Sequence, residues 1–240
     1  MQIESVVHRR LRKRYDQLWS GALGRIRAGK IDLDPVLQAR VLDRRRGLTV
    51  IARPSRAVRE SVGLFLRELR RLEPEQYYYT ATELHLTVLS LFTTTLDFEP
   101  FFAQKERYIA AVDAALNSAA PMRVVFEGVT ASPGTVMIQG FFETGELDEL
   151  RDGLRRQLRL RGMEKGVDER YRLETAHMTL MRFRAPLRDA ERLMEALERA
   201  RRRPFGETTV KRFALVEHDW YMSRRTTVTL KHYRPLIDAN

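Results

Sequence analysis

Apolar residues recur every three or four positions from Ile3 through Val7, Leu11, Tyr15, Leu18 and Ala22 to Ile26, while Arg9, Arg10, Arg12 and Lys13 fall mostly off that line. This period predicts a helix with one apolar stripe and a basic opposite face. Asp34-Pro35 predicts a second, short helix, because proline suits the first helical turn. At Gly47 the texture changes. GLTVIARP reads as a strand, and Ser55 is placed to cap a helix to about Leu72 with Val58, Val62, Phe65, Leu66 and Leu69 on its inner face. YYYTATELHLTVLSLF, rich in β-branched and aromatic residues, reads as strand. A helix is predicted over 99–119, carrying Phe102, Ile109, Val112 and Leu116. A hairpin follows, with MRVVFEGVTA and GTVMIQGFF flanking the turn residues Ser132-Pro133-Gly134. Leu147, Leu150, Leu154 and Leu158 mark another helix, RYRLETAHMTLMRF a strand region, and 187–202 a last helix. Two strands, RFALVEHDWYM and RTTVTLKHY, close the chain around Ser223-Arg224.

The order strand–helix–strand occurs twice, over 47–92 and 134–183, and Gly47-Leu48-Thr49-Val50 echoes Gly134-Thr135-Val136-Met137. The duplication predicts an α+β fold with two pseudo-symmetric lobes of mainly antiparallel sheet, flanking helices and a cleft between the lobes. The expected organisation is a helical N-terminal arm over 1–46 and a bilobal domain over 47–240, with lobes of about 47–120 and 121–240.

Composition narrows the chemistry. Hydrophobic residues make up 43% of the 240, enough for a packed core and against wholesale disorder. No run approaches 18 uncharged apolar residues, so no membrane-spanning helix is expected. The start of the chain lacks the apolar run and cleavage site of a secretory signal, and a cytoplasmic location is expected. The absence of cysteine excludes disulfides, zinc–thiolate sites, iron–sulfur clusters and a cysteine nucleophile. Net charge is +11, and 37 of the 43 cationic residues are arginine, whose fork matches phosphate. Residues 1–46 alone hold 12 Lys/Arg against 5 Asp/Glu. Such an arm can steer RNA or another polyanion; it reads equally well as an amphipathic helix with a solvated basic face. Oligomeric state is not legible.

Within the repeat, each second strand carries the same short string, HLTV at 85–88 and HMTL at 177–180. On a strand, residues two apart share a face. His85 with Thr87, and His177 with Thr179, therefore present an imidazole beside a hydroxyl, while Leu86, Val88, Met178 and Leu180 point to a core. If the lobes meet about a pseudo-twofold, two imidazoles and two hydroxyls surround one small anion. That set suits phosphodiester cleavage: one neutral imidazole takes a proton, the other, protonated, donates to the leaving oxygen, and the hydroxyls bond the phosphate oxygens. The scheme calls for no metal or cofactor. Arg182 follows His177 by five, which on an ideal strand puts it on the opposite face; only a bulge or a strand end re-aims it.

The paired H-x-T-x strings in a duplicated α+β chain resemble the 2H phosphoesterase superfamily, and within it the RNA 2′,3′-cyclic phosphodiesterase, or 2′-5′ RNA ligase-like, group. The resemblance spans about 47–235 and leaves the arm outside. It implies a bilobal fold with the active site between the lobes, generally no metal, and action on 2′,3′-cyclic, 2′-5′-linked or related ribonucleotide phosphates. It implies a phosphate-binding role for Arg182, with Ser90 at the matching place of the first motif. The expected substrate is accordingly an RNA end or a nucleotide phosphate.

Other residues have two readings. Glu83 and Thr175 stand two before each histidine and can orient the imidazoles. Tyr79, Tyr171, Trp220 and Tyr221 can stack on a base or pack in a core or rim, and Tyr221 is a substrate-binding candidate beside Arg182. His218 and His232 read as structural; a zinc site using His218 lacks supporting carboxylate spacing. Arg201, Arg202 and Arg203 read as a solvated helix end. The competing function is a non-catalytic RNA- or nucleotide-binding module that keeps the cleft.

Overall fold

Helix α1 (Val6–Arg27) begins where Ser5 accepts a hydrogen bond from the His8 N–H. Its stripe buries Leu11, Tyr15, Ala22 and Ile26, while Ile3 of the same pattern lies outside the described residues. The computed structural model describes residues 5–117 and 119–234. Asp34 caps the short α2 (Pro35–Ala39). Strand β1 (Arg46–Ala52) leads to α3 (Arg56–Leu72), where the Ser55 hydroxyl caps Val58 and all five residues assigned to the inner face are buried.

The stretch that reads as one strand divides. Tyr77–Tyr78 form the short β2, a turn follows, and Leu86–Thr95 form β3. The helix expected over 99–119 is two, α4 (Glu99–Phe102) and α5 (Lys105–Leu116). Strands β4 (Met122–Ser132) and β5 (Thr135–Phe141) make the hairpin, followed by α6 (Glu146–Leu160), β6 (Met178–Arg182) and α7 (Ala190–Arg199). Strand β7 (Pro204–Val210) is absent from the sequence reading, since its Pro204 and Gly206 mimic a turn. β8 (Phe213–His218) and β9 (Val228–Tyr233) end the described chain.

Two antiparallel sheets result, ordered β3-β1-β8-β9 and β2-β6-β5-β4-β7. Sheet membership does not follow a cut near residue 120. β8 pairs with β1 and carries β9 on its outer edge, and β2 crosses to the edge of β6. Each sheet is therefore completed by chain from the other half. The duplication survives as β1–α3–β3 and β5–α6–β6. Its register sets Thr49 opposite Ser90 and Thr135 opposite Arg182, one residue off the glycine-to-glycine echo in the sequence. No helix among the described residues is long and apolar enough to cross a membrane.

The arm is a packed layer. Its helix α1 lies against β4, β5 and α7. Tyr15 is fully buried, with its hydroxyl within hydrogen-bond distance of Gly140 O and N, at 3.0 and 3.2 Å, and of Ala176 N at 2.9 Å. Gly140 is required there, because a Cβ would stand 2.2 Å from Ala176 O. Many arm cations are in ion pairs: Arg12 with Glu127, Arg14 with Glu174, Arg27 with Glu198, and Arg10 with Asp148. Exposed pairs contribute about 0–1 kcal/mol each, whereas a large apolar side chain taken fully out of water contributes about 1.5–3 kcal/mol. The stripe, not the charge, holds the arm down. Arg201 and Arg203 are likewise more than a solvated helix end: Arg201 pairs with Asp16 of α1 at 2.5 Å and Arg203 with Glu68 of α3 at 3.0 Å.

Candidate active site

Both motif histidines stand one residue before a strand, His85 before β3 and His177 before β6. Each ring is half-buried and tied at Nδ1 to the residue two before it. His85 Nδ1 lies 2.7 Å from the Glu83 carbonyl, and His177 Nδ1 lies 2.8 Å from the Thr175 hydroxyl. So the two residues singled out as possible orienting groups do lie against the imidazoles, but Glu83 acts through its backbone. Its carboxylate accepts instead from Thr80 N and Oγ1 and from Arg224 N, pinning the loop before β3 to the turn after β8.

A carbonyl only accepts, so His85 keeps its proton on Nδ1 and, when neutral, carries its lone pair on Nε2. A hydroxyl donates or accepts, so His177 can adopt either tautomer. Among the described residues Nε2 of neither ring has a partner. Desolvation holds both rings neutral at pH 7. It lowers His85 from 6.5 to about 3, helped by the charges of Arg53, His218 and His177 and opposed by the Glu83 bond. It lowers His177 to about 4, helped by Arg151 and Arg182.

Thr87 and Thr179 are half-buried, between buried Leu86 and Val88 and buried Met178 and Leu180. Neither hydroxyl has a hydrogen-bond partner among the described residues. Past each threonine the strand bulges. Ile51 faces Thr87 but Val50 faces Leu89, so Val88 is the extra residue. Met137 faces Thr179 but Val136 faces Met181, so Leu180 is the extra residue. A bulge reverses the alternation. Burial accordingly runs buried, half, buried, buried, half through Arg182, which puts Arg182 on the face of Thr179. The bulge meets the condition that the sequence set for this arginine. Its Nε donates to the buried Tyr79 hydroxyl at 2.9 Å, and the Tyr79 ring lies 6.5 Å from that of His85.

Ser90, the counterpart of Arg182, is engaged elsewhere. It hydrogen bonds with Thr49 at 3.1 Å, and Thr49 is 2.7 Å from His218 Nε2. His218 Nδ1 bonds Asp219 O at 2.6 Å, so both its ring nitrogens are engaged, as a structural histidine requires. Tyr221 is 5% exposed and donates to Asp34 of the arm at 2.6 Å. It sits 5.7 Å from the Arg182 guanidinium, supporting that residue and offering no open face to a base. Tyr79 and Tyr171 each stand six residues before a motif histidine, but Tyr79 is buried and Tyr171 is 59% exposed, so the two do not take matching places.

One residue that joins the motifs was not legible as functional. Arg151 of α6 is fully buried; its Nε donates to Val88 O at 2.8 Å and its Nη2 to Thr87 O and Thr175 O at 3.1 and 2.8 Å. It thus satisfies the bulge carbonyls of the first motif and the segment before the second histidine. Among the described residues no carboxylate pairs with it and Nη1 has no partner, and desolvation lowers its pKa to about 10. The sequence signal was its phase with Leu147, Leu154 and Leu158 on the apolar stripe.

Residues 56–221 match the model of the 2′-5′ RNA ligase superfamily. The chain belongs to that superfamily. Fold comparison agrees. TT0787 of Thermus thermophilus aligns with TM-score 0.58 at 21% identity over 78% of this chain and 97% of its own. E. coli LigT complexed with 3′-AMP aligns with TM-score 0.52 at 17% identity over 81% and 99%. The Agrobacterium tumefaciens protein ATU0111, of unknown function, aligns with TM-score 0.51 at 16% identity over 90% and 97%. Comparison with curated proteins gives no match. Membership of the superfamily makes the chain a phosphoesterase- or ligase-like protein. Arg45 and the rest of the arm lie outside the matched residues.

Proposed function

We propose that the chain is a phosphodiesterase that opens 2′,3′-cyclic or 2′-5′-linked ribonucleotide phosphates by paired histidine acid–base catalysis. The observation that carries this reading is the matched presentation of the motifs: two imidazoles tethered at Nδ1 with unpartnered Nε2 atoms, two unbonded threonine hydroxyls, and Arg182 turned to the same face by a bulge. A fold relative, E. coli LigT, holds 3′-AMP, which fits a ribonucleotide phosphate at this site.

In hydrolysis, His85 takes the proton of the attacking water through Nε2, since the Glu83 carbonyl keeps that nitrogen bare in the neutral ring. His177 donates to the departing ribose oxygen, and Thr175 follows its change of protonation by turning its hydroxyl. Thr87, Thr179 and Arg182 bond the non-bridging oxygens as charge builds on them. Both rings are neutral in the free chain, so the phosphate anion itself raises the pKa of His177 on binding and charges the acid. The scheme routes no step through a metal.

The test is turnover of a panel of 2′,3′-cyclic mononucleotides and 2′-5′ dinucleotides by the purified chain, with and without chelator, beside His85→Ala and His177→Ala. Turnover that resists chelator and falls about 10²–10⁴-fold in each variant supports the reading. Wild-type rates in both variants sink it, and binding without turnover points to a nucleotide-binding module that keeps the cleft.

A further inference from the structure

Three guanidiniums gather on one indole beside the histidine pair. The Cζ atoms of Arg170, Arg45 and Arg182 stand 4.6, 4.9 and 5.4 Å from the centroid of the Trp220 ring. They come from three separate places: the arm, the irregular segment before β6, and the end of β6. An indole attracts a cation, which offsets part of their mutual repulsion but neutralises no charge.

Among the described residues, only one of the three guanidiniums has a carboxylate in contact. Arg45 is matched by Asp43, to which its Nε and Nη2 both donate at 2.9 Å. Arg182 spends Nε on the Tyr79 hydroxyl. Arg170 is exposed and has no hydrogen bond or ion pair among the described residues; its guanidinium stands over the indole. The nearby Asp34 acts on Arg45 and Arg182 from a distance, while its Oδ1 accepts from the Tyr221 hydroxyl and from the N–H groups of Val36 and Leu37. Two guanidinium charges are left without a carboxylate in contact. The reacting phosphate answers to Arg182 and leaves Arg170 over. Guanidiniums already crowd the indole, so Trp220 gathers cations more readily than it stacks on a base.

We propose that Arg170, with Arg45 and Trp220, forms a second phosphate subsite beside the reaction centre, taking a phosphate carried elsewhere on the same ribonucleotide substrate. This deepens the phosphodiesterase reading and rests on it: the substrate class narrows to ribonucleotides with at least two phosphates. The shared chemistry is a second phosphoryl group, either a 5′-phosphomonoester or the diester that precedes an RNA end. The subsite also gives the arm a part in recognition, through Arg45.

The experiment compares kcat/KM for adenosine 2′,3′-cyclic phosphate, the same compound with a 5′-phosphate, and the dinucleotide ending in a 2′,3′-cyclic phosphate. It uses the full chain, Arg170→Ala, Arg170→Lys, and Arg159→Ala as an exposed control on α6. A charged hydrogen bond predicts a preference of about 10–100-fold for a substrate with the second phosphate. The ratio falls toward one in Arg170→Ala, is partly kept in Arg170→Lys and is unchanged in Arg159→Ala. Whichever of the two doubly charged substrates gains most identifies the source of the second phosphate. Calorimetric binding of inorganic pyrophosphate against inorganic phosphate is measured in parallel, and Arg170→Ala weakens pyrophosphate at least tenfold more than phosphate. Turnover without a preference, or a preference that survives Arg170→Ala, overturns the subsite. No turnover of any substrate, with the pyrophosphate loss intact, keeps the subsite and overturns the phosphodiesterase reading. Neither turnover nor the pyrophosphate loss overturns both.

Discussion

The two motif strands start alike and end differently. Each has a histidine tethered two residues upstream, a threonine with an unbonded hydroxyl, and a bulge immediately after it. The carbonyls freed near the bulges find different donors. In β3 a buried arginine from α6 takes Thr87 O and Val88 O, while in β6 the N–H of Tyr79 reaches Leu180 O. The face position beyond the bulge differs too: Ser90 is absorbed into a chain with Thr49 and His218, whereas Arg182 shares the face of Thr179 and bonds the Tyr79 hydroxyl. The comparison teaches that a duplicated scaffold need not give two equal half-sites. Its backbone device is kept twice, and the residues hung on it divide the work.

The largest expected effect breaks the division between the histidines. His85→Ala and His177→Ala each lower the rate by about 10²–10⁴-fold on a ribose leaving group. On an activated aryl phosphodiester, whose leaving group needs no acid, His177→Ala recovers most of the rate and His85→Ala does not. Equal recovery in both variants would reverse or erase the assignment. Next comes Arg182→Ala, expected to cost about 10²–10³-fold in kcat/KM, as for loss of a donor to a developing oxyanion. Ser90→Ala, at the matching position, changes kcat/KM little, and steady-state kinetics on the same substrate compares the two directly.

A third effect concerns the arginine that joins the motifs. Arg151→Met leaves three carbonyls without their donor, at about 1–3 kcal/mol for each group left bare, and relieves the desolvation of the cation. The balance is a loss of about 3 kcal/mol, which for a chain of this size lowers Tm by about 6–12 °C. Calorimetry reads this, and an unchanged Tm would show that the carbonyls find water.

A fourth effect is in the pH profile. Both imidazoles are held below the usual 6.5, to about 3 and about 4, so between those values and 6.5 the unfolded chain binds protons that the folded chain does not. Their burial therefore costs nothing above about pH 6.5 and lowers Tm progressively toward pH 4, and the double alanine variant flattens that slope. Because an anion in the cleft raises the acid's pKa, the basic limb of kcat lies at higher pH than that of kcat/KM. Coincident limbs would remove the phosphate from its place between the rings.

Local patterns carried most of the fold into view. All five inner-face residues of α3, both histidine–threonine pairs and the turn at Ser132-Pro133-Gly134 answer to spacing alone. What escaped depends on long-range pairing. The crossing of β2 to β6, and of β8 to β1, has no local signature. In the site, the bulges that decide where Arg182 points are set by the partner strand's register. The gathering of Arg45 and Arg170 on Trp220 joins residues far apart in the chain. The arm's charge excess drew attention to polyanions, while its apolar stripe and Tyr15 tie it to β5 and to the segment before His177.

The phenol of Tyr15 bears on how the molecule is made. Its partners Gly140 and Ala176 are 125 and 161 residues further along the chain. Helix α1 precedes both partners in the chain and therefore waits, stripe uncovered, until the β4–β5 hairpin and the stretch before His177 have been synthesised. Strand β1 in turn waits for β8. Such distant pairings slow acquisition of the native state. Released chains lacking the final strands should remain open to proteolysis, with the histidine pair assembling as one of the last events of biogenesis.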